Sequence, residues 1–68
     1  MPRKIRELLT DLEAAGWHLV AGGKGSHRKY AHAKAKRKLI ISGKLGDDAL
    51  SYQEKLVREA IIEVGHDF

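Results

Sequence analysis

Two stripes of apolar residues at helical spacing, one near each end of this 68-residue chain, constrain its fold most strongly. A first helix is predicted from Arg3 to Ala15, and its stripe consists of Ile5, Leu8, Leu9 and Leu12. The stripe of the second helix consists of Leu56, Val57, Ala60, Ile61 and Val64. A chain of this length has room for one hydrophobic core. Residues 1–68 are therefore expected to form one domain, in which both apolar stripes pack into the same core.

Residues typical of helix ends flank both stripes. Gly16 directly follows the first helix, where a left-handed residue commonly ends a helix. Ser51 and Glu54 have the spacing of a capping box, which predicts that the second helix begins at Ser51. An earlier start, at Asp47 or Asp48, is the alternative.

Three short segments between the helices have the composition of β-strands. They are WHLVA from Trp17, SHRKYAH from Ser26 and RKLIIS from Arg37, separated by a glycine turn at residues 22–25 and a polar turn at 33–36. The order α-β-β-β-α predicts an α+β fold, a two-layer sandwich with both helices on one face of a three-stranded antiparallel sheet. The other face of the sheet is left to solvent or to a ligand.

The charges are strongly segregated along the chain. Although the chain has nine acidic residues and a net charge of +4, none of the nine lies between Ala14 and Leu45. That segment carries eight cations: Lys24, Arg28, Lys29, Lys34, Lys36, Arg37, Lys38 and Lys44. A surface so depleted of acids favours a nucleic acid as the partner. The alternative interpretation is a solvated, lysine-rich surface.

Several classes of protein are not expected from this composition. The absence of cysteine excludes disulfides and thiolate metal sites, and it suits a reducing cytosol. No apolar run approaches the roughly 18 residues of a membrane span. His27 and His32 are predicted on opposite faces of a strand, and the glycine run lacks P-loop spacing. We therefore expect a cytoplasmic protein without metal or other cofactor and without a membrane contact.

His27 and Lys29 are the strongest candidates for chemistry. Both lie on one face of a predicted strand, directly after the glycine run. Imidazole transfers protons near neutral pH, and a lysine holds phosphate. Together they suffice for metal-free RNA cleavage in which the ribose 2′-hydroxyl attacks the adjacent phosphate. The alternative for His27 is a surface histidine without a role, which is also what we expect of His18 and His32.

Three segments carry a resemblance to a known family. They are A-A-G-W from Ala14, G-K-G-S-H-R-K-Y-A-H from Gly23 and G-D-D-A-L-S-Y-Q-E-K-L-V-R-E-A-I from Gly46. On these residues the chain resembles the HicA toxins of bacterial type II toxin–antitoxin systems, from Ile5 to about Ile62. It departs from the family in the loop at residues 33–36, which lacks the proline that members often carry.

The resemblance implies a fold like that of double-stranded-RNA-binding domains and a metal-independent endoribonuclease that cleaves mRNA. It implies that His27 is the catalytic residue. It also implies that a HicB-type antitoxin covers the active site, so the expected state is a monomer or a toxin–antitoxin hetero-oligomer. The residues expected to contact RNA are Lys24, Gly25, Ser26, Arg28, Lys29, Lys34, Lys36, Arg37 and Lys38.

Two alternatives use the same basic surface. One is a non-catalytic RNA-binding module, and the other is an inactive toxin remnant that only binds its antitoxin. Incubation of the protein with RNA in the presence of a chelator separates the catalytic hypothesis from both.

Overall fold

A computed structural model of the chain describes residues 2–21 and 27–65, and it has the predicted order of elements. These elements are α1 (Ile5–Ala14), β1 (His18–Ala21), β2 (His27–Ala31), β3 (Leu39–Ser42) and α2 (Ser51–Glu63). The three strands form one antiparallel sheet in the order β1-β2-β3, so β2 is central. The α+β fold is thereby confirmed. No helix within the described ranges is long and apolar enough to cross a membrane.

The two faces of the sheet differ in burial. Tyr30, Leu39 and Ile41 point to one face and are buried. Side chains alternate along a strand, so the intervening residues point to the other face. We call this second face the open face, and the pairing of the strands places seven residues on it: His18, Ala21, His27, Lys29, Ala31, Ile40 and Ser42.

Both helices cover the same face of the sheet. The buried residues of α1, α2, β2 and β3 belong to a single apolar cluster. The helices contribute Ile5, Leu8, Leu9, Leu12, Val57, Ala60 and Ile61. Val64, the C-cap of α2, also belongs to the cluster, and Leu56 packs partly buried against it. The predicted shared core is therefore confirmed. Because nothing from either helix reaches the open face, the sheet is a two-layer structure with one solvent-facing side.

A Schellman motif at Gly16 ends helix α1. Gly16 has a φ of +99°, and its N–H donates to the carbonyl of Glu13 at 3.0 Å. The N–H of Trp17 donates to the carbonyl of Leu12, also at 3.0 Å. Both Trp17 and Leu12 are buried, as the apolar contact of this motif requires. The motif turns the chain directly from α1 into β1.

The loop after β3 is fixed to the start of α1. The N–H groups of Ile5 and Arg6 have no partner within the helix, and they donate to the carbonyls of Asp47 at 2.9 Å and Leu45 at 3.1 Å. An ion pair of 2.5 Å between Lys4 and Asp48 lies beside these bonds. The N-terminus of α1 is consequently occupied by the protein itself.

The predicted capping box at Ser51 and Glu54 is wrong by one residue. Helix α2 begins at Ser51, and the residue before it, Leu50, is the N-cap. The N–H of Leu50 donates to Oε1 of Gln53 at 2.9 Å, while Nε2 of Gln53 donates to the carbonyl of Ser42 at 2.8 Å. Gln53 is buried, so packing of α2 against the end of β3 selected this register over the one with a serine cap.

We predict that Gln53→Ala lowers the free energy of unfolding by about 1–3 kcal/mol, because it leaves a backbone donor and a carbonyl without their partner. Ser51→Ala is the matched control and should change stability by no more than about 0.5 kcal/mol. Urea unfolding of both variants measures the difference. A larger loss for Ser51→Ala than for Gln53→Ala would restore Ser51 as the cap.

Candidate nucleic-acid interface

His27 and Lys29 lie on the open face, on the central strand. His27 is the first residue of β2 and is paired with Ser42 of β3, whereas Lys29 is paired with both Ala21 of β1 and Ile40 of β3. Both side chains are exposed. Residues two apart on a strand are about 6.6 Å apart along it, so one nucleotide can contact both. The predicted placement of His27 and Lys29 on one face is confirmed.

A shallow depression of about 140 Å³ lies beside these two residues. Its lining consists of Ala21, His27, Arg28, Lys29 and Ile40. The surface exposed within it is apolar. The open face therefore combines a concave apolar patch with an imidazole and an ammonium group.

Arg28 has a structural contact that the sequence did not indicate. It is on the helix side of β2, where its Nη1 donates to the carbonyl of Gly43 at 2.7 Å. Gly43 has a φ of +112° and begins the loop after β3. The guanidinium thus holds the chain where it leaves the sheet. RNA binding by Arg28 stays a prediction.

The cations of the β2–β3 connection lie away from His27. Lys34, Lys36, Arg37 and Lys38 are all exposed, and they follow the end of β2 opposite to the end that begins with His27. Four residues of strand separate the two ends by about 13 Å. That distance corresponds to about four stacked nucleotides at 3.4 Å each. These cations are therefore placed to hold phosphates several nucleotides from His27.

Three predicted RNA-binding residues, Lys24, Gly25 and Ser26, lie outside the described residues. One feature of the open face was missed by sequence reasoning, because Ile40 was read only as part of an apolar strand. The pairing of β2 with β3 reveals its position beside Lys29, and no local signal in the sequence specifies that pairing.

The acidic helix lies across the sheet from the candidate site. Glu54, Glu59 and Glu63 belong to α2, which covers the face opposite to His27. Among the residues that the structure describes, no carboxylate is within ion-pair distance of Lys29. The same described ranges contain no cluster of three histidine or acidic side chains that would hold a metal ion. The open face thus presents positive charge without nearby acids.

Tyr30 anchors the central strand beneath the site. It is buried, and burial raises the pKa of its hydroxyl above the ordinary value. The nearby negative charge of Glu13 raises that pKa further, while the positive charge of Arg28 acts in the opposite direction. The phenol is therefore protonated at neutral pH.

His32 has a structural role, so our expectation of a histidine without one is wrong. It directly follows β2, and its Nε2 donates to the carbonyl of Ala15 at 3.0 Å while its Nδ1 accepts from the N–H of Lys34 at 2.9 Å. Its ring lies 5.5 Å from the ring of buried Trp17. A Cβ at Gly16 would lie 2.8 Å from Nε2, so the glycine is needed here for space as well as for its φ.

We predict that His32→Ala lowers the free energy of unfolding by about 1–3 kcal/mol, since it removes two hydrogen bonds and a packing contact. His18→Ala, on the exposed edge strand, should change it by no more than about 0.5 kcal/mol. Urea unfolding followed by tryptophan fluorescence measures both. Equal effects of the two substitutions would contradict this role of His32.

Comparison with known proteins agrees with the resemblance seen in the sequence. A family model described as the HicA toxin of bacterial toxin–antitoxin matches residues 5–61. The matched range includes α1, all three strands and most of α2. No curated protein and no solved structure matched the chain significantly. Because the match covers more than four fifths of the sequence, this chain belongs to the HicA toxin family of bacterial toxin–antitoxin systems.

Proposed function

We propose that this toxin is a metal-independent endoribonuclease that cleaves mRNA and is inhibited by a HicB-type antitoxin. The observation that carries the proposal is the exposure of His27 and Lys29 side by side on the open face. One group can move a proton and the other can stabilise a phosphate, and the two are within reach of a single nucleotide. Membership of the HicA family supports the toxin role.

The proposed reaction is an internal transfer at phosphorus. The 2′-hydroxyl oxygen forms a bond to the adjacent phosphorus, and His27 takes the proton from that hydroxyl. The bond from phosphorus to the 5′-oxygen of the next nucleotide breaks, and that oxygen receives a proton from the imidazolium or from water. The products are a 2′,3′-cyclic phosphate and a free 5′-hydroxyl. Lys29 stabilises the negative charge that develops on the phosphoryl oxygens.

The substrate is expected to be single-stranded RNA. An attack in line with the leaving oxygen needs a nucleotide that can leave a regular helix, and unpaired RNA meets this need. The open face is a strand-lined surface without acids, and the exposed cations beyond Ala31 extend it along one direction. A single strand of mRNA lying along β2 would contact His27 at one end and these cations at the other.

Inhibition by occlusion follows from the same geometry. His27 is at the surface, so an antitoxin that covers the open face blocks RNA from reaching it. Acidic groups on such a partner would also neutralise the cations that bind phosphate. The antitoxin is therefore expected to compete with RNA for the open face.

We predict that His27→Ala lowers the cleavage rate of a defined RNA by about 10²–10⁴-fold, which is the usual contribution of a positioned proton-transfer group. Binding of the RNA should stay within about twofold, because one imidazole adds little next to the several cations. Lys29→Ala should lower both rate and affinity. The assay is cleavage in EDTA, with binding measured in parallel and His18→Ala as control.

Three results would contradict the assignment. If His27→Ala cleaves at the wild-type rate, the catalytic group lies elsewhere. If the wild-type protein binds RNA tightly and never cleaves it, the protein is a non-catalytic RNA-binding module. A protein that binds only its antitoxin, and no RNA, would be the inactive remnant.

RNA affinity should fall steeply as salt rises. If about four cations contact phosphates, a plot of log affinity against log salt has a slope of roughly −3, at about −0.7 per contact on a single strand. Replacing Lys36 or Lys38 by Gln should make the slope shallower by about 0.7 each. Lys55→Gln on α2 is the matched control and should leave it unchanged. A wild-type slope near zero would remove the basic surface from the mechanism.

A further inference from the structure

Ile40 interrupts the polar character of the open face. On an antiparallel sheet with one covered side, solvent-facing positions are usually polar, yet β3 reads Leu39-Ile40-Ile41. Ile40 is on the solvent side with 58% of its surface exposed, while both of its neighbours are buried. Its side chain offers an apolar contact in the middle of a face that is otherwise suited to a polyanion.

The strand pairing places Ile40 beside both candidate functional residues. Ile40 is directly opposite Lys29, a position in which Cβ atoms are about 4.5–5.5 Å apart. It is a diagonal neighbour of His27, about 7–8 Å away. On the other side of Lys29 is Ala21, which contributes only a methyl group. Ile40 and Ala21 both line the 140 Å³ depression, whose exposed surface is apolar.

We propose that this depression binds a nucleobase, the one carried by the nucleotide at the cleaved bond, with Ile40 as the side chain against which the base packs. The inference rests on the proposed function and specifies how the substrate is held. A base turned out of its strand is commonly received between apolar or aromatic side chains. With the base on Ile40, the attached ribose and phosphate lie toward His27 and Lys29, which orients the 2′-hydroxyl for proton transfer.

The charges favour a nucleotide over an apolar protein side chain as the occupant. Lys29 and His27 both line the depression, and no acidic residue occurs between positions 14 and 45. A nucleotide matches both the apolar and the cationic part of this surface. Its base is flat with largely apolar faces and can pack on Ile40, and its phosphate is anionic and can pair with Lys29. A purely aliphatic side chain would leave the lysine without a counter-charge.

Ile62 provides a matched control. It is 57% exposed, nearly the same as Ile40, but it lies on α2. The experiment compares Ile40→Ala, Ile40→Leu and Ile62→Ala with the wild-type protein. The probe is a fluorescent single-stranded RNA of about 12 nucleotides with 2′-O-methyl riboses, which cannot be cleaved through the 2′-oxygen. A second probe has the same sugar–phosphate chain without bases, and thermal unfolding checks that each variant is folded.

We expect Ile40→Ala to weaken binding of the base-carrying probe about five- to tenfold, the lower end of what loss of a stacking side chain causes. Binding of the baseless probe and the slope with salt should be unchanged, because the contact is apolar. Ile40→Leu should retain affinity within about twofold, and Ile62→Ala should match the wild type. Cleavage of unmodified RNA is measured separately, so failure of the proposed reaction and failure of the base site are distinguishable.

Three outcomes would overturn the base site. Equal binding by Ile40→Ala and Ile62→Ala would show that Ile40 does not contact the RNA. An equal loss of affinity for the probe without bases would place the effect on the backbone. A loss of affinity for the antitoxin alone, with RNA binding intact, would assign the depression to the protein partner instead.

Discussion

Burial of two helices against one face of a three-stranded sheet is the constraint on which the rest of this structure depends. The buried apolar residues within ranges 2–21 and 27–65 form a single cluster, and both helices contribute to it. With both helices on one side, neither helix covers the other side of the sheet. The open face is therefore a consequence of how the core is made, and any residue that alternates away from the core on β2 or β3 is available to a partner.

The central strand serves the core and the site at once. Tyr30 is buried in the apolar cluster, so this residue of β2 faces the helices. Because side chains alternate, Lys29 must then point outward, and His27 with it. The residue between them, Arg28, is directed to the helix side, where it bonds to Gly43. A change at Tyr30 or Arg28 would thus alter the site without contacting the substrate.

The end of β3 that pairs with His27 is fixed by hydrogen bonds from two side chains. Gln53 of α2 donates to the carbonyl of Ser42, and Arg28 donates to the carbonyl of Gly43. The following loop is bonded in turn to the start of α1. His27 is paired with Ser42, the last residue of β3. The two side-chain bonds therefore support the candidate active site through the backbone.

The amino-acid sequence by itself determined the order of the elements, the composition of both helix stripes and the segregation of charge. These are local properties, since they depend on spacing within one segment. The sequence also predicted that His27 and Lys29 lie on the same face of a strand, because side chains alternate between the two faces with a period of two residues. The sequence could not place Ile40 beside them, since that depends on the pairing of β2 with β3. Likewise, Gln53 replaced Glu54 in the capping interaction and His32 acquired a role at the end of α1, because both side chains also bond to backbone groups distant in sequence. Such contacts exist only once the helices have packed on the sheet, so the tertiary structure alone decided them.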